Sequence, residues 1–214
     1  MKKYLINNNS ETLQMVFAGW GADEYAFEHL KSNFDVLILY DYSDLELDFN
    51  FSKYKNFNLV GYSAGVFAAS VLDFDFKFDK KIAFSGNPYL FDEHFGLSKE
   101  IQEVLYNVNE ENADYFARNY LVKTDEEYKN FHPSKRSIES CRTEFEKLKK
   151  LYRTNKQKIK DIYDLAYIGE YDPVFSVSAQ KEFYKNRLTI VKNARHNMFY
   201  RINSFGQMLN FSMI

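Results

Sequence analysis

A single cysteine, Cys141, in a chain of 214 residues excludes an internal disulfide and suits a reducing compartment. Proline (3) and glycine (8) are scarce, and no low-complexity linker or internal repeat divides the chain. No apolar run reaches the ~20 residues that span a bilayer. Nothing at the N-terminus reads as a signal peptide, since Met1-Lys2-Lys3 is followed by too short an apolar run before Asn7-Asn8-Asn9. The formal net charge of -2 gives no global case for nucleic acid or a membrane surface. Metal-ligand spacing, a phosphate-binding glycine loop and a dinucleotide fingerprint are all missing, so no metal or cofactor is expected. The expectation is a cytoplasmic monomer with neither a nucleic-acid nor a membrane partner.

The chain is 45% hydrophobic and rich in aromatics, with Phe 21 and Tyr 17, enough to bury a substantial core. The apolar runs Leu13–Phe17, Asp35–Tyr40, Asn58–Tyr62, Lys81–Ser85, Leu165–Gly169 and Leu188–Val191 read as strands, with Lys3–Ile6 a short edge strand. Asp23 caps a helix carrying Tyr25, Phe27 and Leu30, Val177–Tyr184 is amphipathic, and a final helix is expected from near Asn197. This alternation predicts an α/β fold: one domain over residues 1–214, with a mostly parallel central sheet covered by helices on both faces. From about Phe91 to Lys160 the pattern is helical instead, clearest in Ile138, Cys141, Phe145, Leu148 and Leu151 or Tyr152 at steps of three and four. That stretch is expected to be an inserted helical cap. Residues 118–160 hold 13 Lys+Arg against 6 Asp+Glu, a net +7 that leaves -9 for the rest of the chain. The excess reads either as a solvated helix face or as a docking surface for an acidic partner.

The chemistry centres on Gly61-Tyr62-Ser63-Ala64-Gly65, set between an apolar strand and an alanine-rich helix. Glycines on either side of the serine allow strand and helix backbones to approach closely at a strained turn. A serine hydroxyl needs a base to take its proton and a third group to orient that base. In a strand-elbow-helix fold these follow in the order serine, acid, histidine. Here the order is Ser63, Asp172 within Gly169-Glu170-Tyr171-Asp172-Pro173, and His196 within Ala194-Arg195-His196-Asn197, each just past a predicted strand. His29, His94 and His132 compete for the base, Glu170 and Asp164 for the acid, and Cys141 for the nucleophile. His29 falls in a predicted helix, His94 and His132 fall in the cap, Asp164 precedes its strand, and Cys141 occupies an apolar helix stripe. The N–H groups of Ala64 and of Trp20, in Ala18-Gly19-Trp20-Gly21, are the expected oxyanion-hole donors, each worth roughly 3 kcal/mol.

Phe17-Ala18-Gly19-Trp20-Gly21-Ala22-Asp23, Gly61–Gly65, Gly169–Pro173 and Arg195-His196-Asn197 together resemble the α/β-hydrolase superfamily. More narrowly, the short length and the Gly-Trp-Gly-x-Asp variant resemble the BioG-type pimeloyl-[acyl-carrier-protein] methyl ester esterases of biotin synthesis. Many superfamily members carry histidine before the first glycine of the oxyanion loop, whereas this chain has Ala18. The resemblance implies hydrolysis of a methyl ester on a carrier-bound pimeloyl chain. It also implies an acidic acyl carrier protein as partner, for which Arg118, Lys123, Lys135, Arg136 and Arg142 of the basic cap are the candidate contacts. A general carboxylesterase or thioesterase would share the same motifs, and a non-catalytic binding protein of the fold would tend to have lost one of the three.

Overall fold

The computed structural model describes residues 1–211. Seven strands form one sheet in the order β1-β3-β2-β4-β5-β6-β7. They are β1 (Lys2–Ile6), β2 (Thr12–Phe17), β3 (Asp35–Tyr40), β4 (Asn56–Tyr62), β5 (Lys80–Phe84), β6 (Leu165–Gly169) and β7 (Leu188–Val191). Only the edge strand β1 runs antiparallel to its neighbour; the other pairings are parallel.

Alternation along the strands assigns side chains to two cores. Leu13, Met15, Phe17, Leu37, Leu39 and Leu59 face one side, while Val16, Val36, Ile38, Val60, Ile82 and Phe84 face the other. The first side is covered by α1 (Ala64–Ser70), α6 (Val177–Tyr184) and part of the insertion. The second is covered by Phe27 and Leu30 and by the C-terminal segment from Met198 to Phe211.

The crossovers differ from strict strand-helix alternation. Between β3 and β4 there is no helix, because Leu45, Leu47, Phe49 and Phe51 alternate with Asp44, Glu46, Asp48 and Asn50 in a two-residue period that suits extended chain. The half-buried Phe51 ring lies 5.0 Å from Phe76, which clusters with Phe74 and Phe78 in the equally extended stretch after α1 and stacks on Phe57 at 3.9 Å. After β2, Asp23 does cap as expected, accepting from the Tyr25 N–H, but only the 3-10 turn Glu24–Phe27 follows. The helix expected near Asn197 is replaced by the 3-10 turn Phe199–Arg201 and the short α7 (Phe205–Met208).

Between β5 and β6 the chain forms α2 (Lys99–Tyr106), α3 (Ala113–Phe116), a π-helical turn (Ala117–Leu121), α4 (Asp125–Lys129) and α5 (Ile138–Asn155). α5 is capped by Ser137 and buries Cys141, Phe145, Leu148 and Tyr152, the stripe read from the sequence. It also buries Glu144, a charged residue on that same stripe.

Candidate active site

The sheet register sets two loops side by side. β2 pairs with β4 so that Phe17 lies opposite Gly61, which places the Ala18–Gly21 loop beside Ser63. Close approach requires the glycines here: a Cβ on Gly65 would fall 2.1 Å from the Phe17 carbonyl oxygen, and one on Gly61 would fall 3.0 Å from the Val66 Cα and 2.5 Å from the Tyr163 side-chain hydroxyl. Ser63 itself has φ 53, ψ -120, a strained conformation held by the strand before it and α1 behind it.

At the far ends of β6 and β7 lie the other two residues. The Ser63 hydroxyl donates to His196 Nε2 at 3.0 Å, and His196 Nδ1–H donates to the Asp172 carboxylate at 3.0 and 3.1 Å. Asp172 Oδ1 also accepts the N–H groups of Val174 and Phe175 at 2.8 and 3.1 Å, which locks the carboxylate in place. The imidazole lies between two rings, Phe175 stacked at 5.9 Å and Tyr62 tilted at 5.3 Å. Such an array can move a proton from the hydroxyl to the ring while the carboxylate fixes the tautomer and steadies the resulting cation.

No acceptor among the described residues takes the N–H of Trp20 or of Ala64, leaving both available to an incoming oxygen. The Trp20 indole donates to the Cys141 carbonyl at 2.6 Å and packs edge-on against Phe145, forming part of the cavity wall. The cavity above Ser63 holds about 480 Å³ and is mainly apolar, with Leu90, Leu105, Phe116, Phe131, Leu148 and Val174 in its lining.

The competing residues are engaged elsewhere. His29 packs in a three-ring cluster with His132 and Tyr200 and bonds the Phe199 carbonyl at 3.0 Å, and burial lowers its pKa. His94 pairs with Glu182 on the surface; His132 lines the cavity but pairs with Glu28 at 2.9 Å. Glu170 is held by Lys192 and Asp164 by Lys81. The Cys141 thiol is buried, and that burial pushes its pKa up, away from thiolate chemistry.

The five cap cations fall into three situations. Lys123, Lys135 and Arg142 are exposed with no carboxylate within ion-pair distance among the described residues; Lys123 lies over Tyr171, Lys135 over Tyr25, and Arg142 donates to the Tyr106 and Val108 carbonyls. Arg118 is exposed but pairs with Asp114 at 3.1 Å and Asp125 at 3.7 Å. Arg136 corrects the expectation: its side chain is only 5% exposed, paired with Glu144 at 2.6 Å and Asp41 at 3.2 Å, so it has no face to offer a partner. Glu144 escaped the sequence reading, although a glutamate three residues after Cys141 and four before Leu148 breaks an otherwise apolar stripe.

A mostly parallel sheet with serine, acid and histidine on the loops that follow β4, β6 and β7 defines an α/β hydrolase. Comparison with known proteins narrows this. The family model described as pimeloyl-ACP methyl esterase BioG matches residues 1–208, and the chain belongs to that family. It is similar to the crystal structure of BioG from Haemophilus influenzae, with TM-score 0.83 and 27% identity over 98% of this chain and 100% of that one. It also matches a Bacteroides fragilis malonyl-[acyl-carrier protein] O-methyltransferase, 30% identical over 80% of this chain but only 36% of that protein. An esterase from Exiguobacterium antarcticum shares the fold at TM-score 0.64 and 16% identity, over 99% of this chain and 92% of its own.

Proposed function

We propose that the protein is a serine esterase that hydrolyses the methyl ester of a pimeloyl chain carried on acyl carrier protein. The observation that carries the reading is the continuous hydrogen-bonded line from Ser63 through His196 to Asp172 at the floor of an apolar cavity. Family membership supports the substrate class.

In this mechanism His196 Nε2 takes the Ser63 proton as Oγ attacks the ester carbonyl, and Asp172 stabilises the imidazolium. The oxyanion is received by the N–H groups of Trp20 and Ala64. The tetrahedral intermediate collapses, His196 returns its proton to the leaving methoxide, and methanol departs. A water, deprotonated by His196, then attacks the acyl-enzyme and releases the free carboxylate with Ser63 restored. The apolar walls suit a chain of methylenes. Lys123, Lys135 and Arg142, with Arg118 beside them, are the cations proposed to meet the acidic carrier. The Bacteroides fragilis relative, named for methylating a carrier-bound acyl group, supports a carrier protein as partner.

The test is release of free carboxylate from carrier-bound pimeloyl methyl ester by native protein and Ser63→Ala, with a small chromogenic ester in parallel. Turnover of the carrier-bound ester that vanishes in Ser63→Ala is the expected result. Cleavage of the chromogenic ester alone would keep the serine esterase and remove the carrier substrate.

A further inference from the structure

The insertion does more than roof the cavity, because its longest helix holds the loop that carries one of the oxyanion donors. Two groups one turn apart on α5 reach the Gly19–Ala22 loop. The Cys141 carbonyl accepts the Trp20 indole N–H at 2.6 Å, and Glu144 Oε2 accepts the Gly21 N–H at 3.0 Å. Glu144 Oε1 accepts the Tyr42 N–H at 3.0 Å, and the Tyr42 hydroxyl donates to the Ala18 carbonyl at 2.7 Å. One buried carboxylate therefore ties the loop after β2 to the loop after β3. Arg136 supplies its counter-charge at 2.6 Å, and the same guanidinium donates to the Ala22 carbonyl at 3.4 Å.

We infer that Glu144 is a positioning residue for the oxyanion hole, acting through the Trp20–Gly21 peptide; the inference rests on the esterase reading above. Gly21 has φ +73 and no side chain to restrain it, so its peptide plane would be free to rotate without an anchor. With the indole fixed on Cys141 and the Gly21 N–H fixed on Glu144, Trp20 is held at its side chain and at the peptide that follows. Its own N–H remains unpartnered beside Ser63, whose Cβ would lie 3.3 Å from a Cβ placed on Gly19. Glutamine cannot replace the carboxylate, since both oxygens accept N–H donors and an amide would turn its NH2 toward one of them.

The experiment compares native protein, Glu144→Gln and Glu144→Asp on a small chromogenic ester. It also measures affinity for an alkyl trifluoromethyl ketone, which adds to Ser63 Oγ to give a hemiketal whose oxygen occupies the oxyanion hole. Melting temperature confirms folding. The expected result is a fall in kcat of about 10- to 100-fold in Glu144→Gln with KM within about twofold, a parallel loss of ketone affinity, and partial recovery in Glu144→Asp. If Glu144→Gln does not fold, Trp20→Phe removes the other tie while keeping the backbone donor and should give the same paired loss. Unchanged kcat, or a fall in kcat without loss of ketone affinity, in a folded variant would overturn the inference. Absence of turnover by native protein would instead overturn the esterase reading, and this inference with it.

Discussion

The main-chain N–H of Asn197, one residue beyond His196, donates to the carbonyl of Leu121 at 2.8 Å. His196 N–H points to the Tyr120 carbonyl at 3.4 Å, and the Arg195 guanidinium bonds the carbonyls of Arg118 and Val122. The π-helical turn of the insertion and the histidine loop thus form one hydrogen-bonded unit. These carbonyls lie at the C-terminal end of that turn, beyond the Ala117 carbonyl that accepts the Val122 N–H, and have no intrahelical donor of their own.

Arg195→Ala removes only the side-chain part of that seam. Net hydrogen-bond contributions of about 0.5–1.5 kcal/mol predict a two- to tenfold fall in kcat on a small ester, with the fold retained. Steady-state kinetics beside a melting curve checks this. An unchanged kcat would mean that Phe175, Tyr62 and Asp172 hold the imidazole unaided.

The strand-end placement of Ser63, Asp172 and His196 was legible in the sequence because each of its signals is local. Ser63 needs small neighbours, Asp172 precedes a turn-forming proline, and His196 follows a short apolar strand; none requires knowledge of a distant residue. Glu144 and Arg136 were illegible for the opposite reason. On a basic helical stretch a glutamate reads as solvated charge and Arg136 reads as a docking contact, and only tertiary packing against Gly21, Tyr42 and Asp41 shows them buried together. The helix-free crossover after β3 lay between these cases, since its two-residue period is visible from Leu45 to Phe51 yet no strand partner follows it. The helix expected at Asn197 does start, since the Asn197 side chain accepts the Phe199 N–H at 2.9 Å as Asp23 does for Tyr25, but it stops after one 3-10 turn because Ile202 is extended at φ -120, ψ 159.

Asp172→Asn should leave the fold intact and lower kcat by about 10³–10⁴ at neutral pH. Oδ1 already accepts the Val174 and Phe175 N–H groups, so an asparagine keeps its oxygen there and presents its NH2 to His196 Nδ1. The ring must then place its own proton on Nε2, where it cannot accept from Ser63. Kinetics on a small ester, with a serine-directed phosphonate to report Ser63 reactivity, decides the matter. A loss below tenfold would remove Asp172 from the role of orienting acid.

Acid stability should depend on Asp35, a carboxylate remote from the cavity. Burial alone would raise its pKa, but Lys53, the N–H groups of Ser10 and Asn8, and the Tyr54 hydroxyl outweigh burial and hold it at about 2. A folded-state value below the unfolded one means the stabilisation is full above about pH 4 and disappears as pH falls toward 2. Asp35→Asn should therefore cost about 1 kcal/mol at neutral pH, allowing for solvent around Lys53, and flatten the acid limb of the stability curve. Urea midpoints at pH 7, 4 and 2.5 test it. Parallel acid limbs in the two proteins would contradict the assignment.

Carrier docking predicts a division among the cap cations that their total charge does not. Lys123, Lys135 and Arg142 have no carboxylate partner among the described residues, so the triple change to glutamate should raise KM for the carrier-bound ester by about tenfold or more. Turnover of the small ester should stay within about twofold, because none of the three takes part in the Ser63–His196–Asp172 line. Arg118→Glu should do less to carrier affinity, since Asp114 and Asp125 already offset that charge. Native activity on the carrier-bound ester should fall steeply with salt, and the triple variant should lose that dependence. An equal loss on both esters, or a salt response that the triple variant retains, would mean that the cap charge is only a solvated surface.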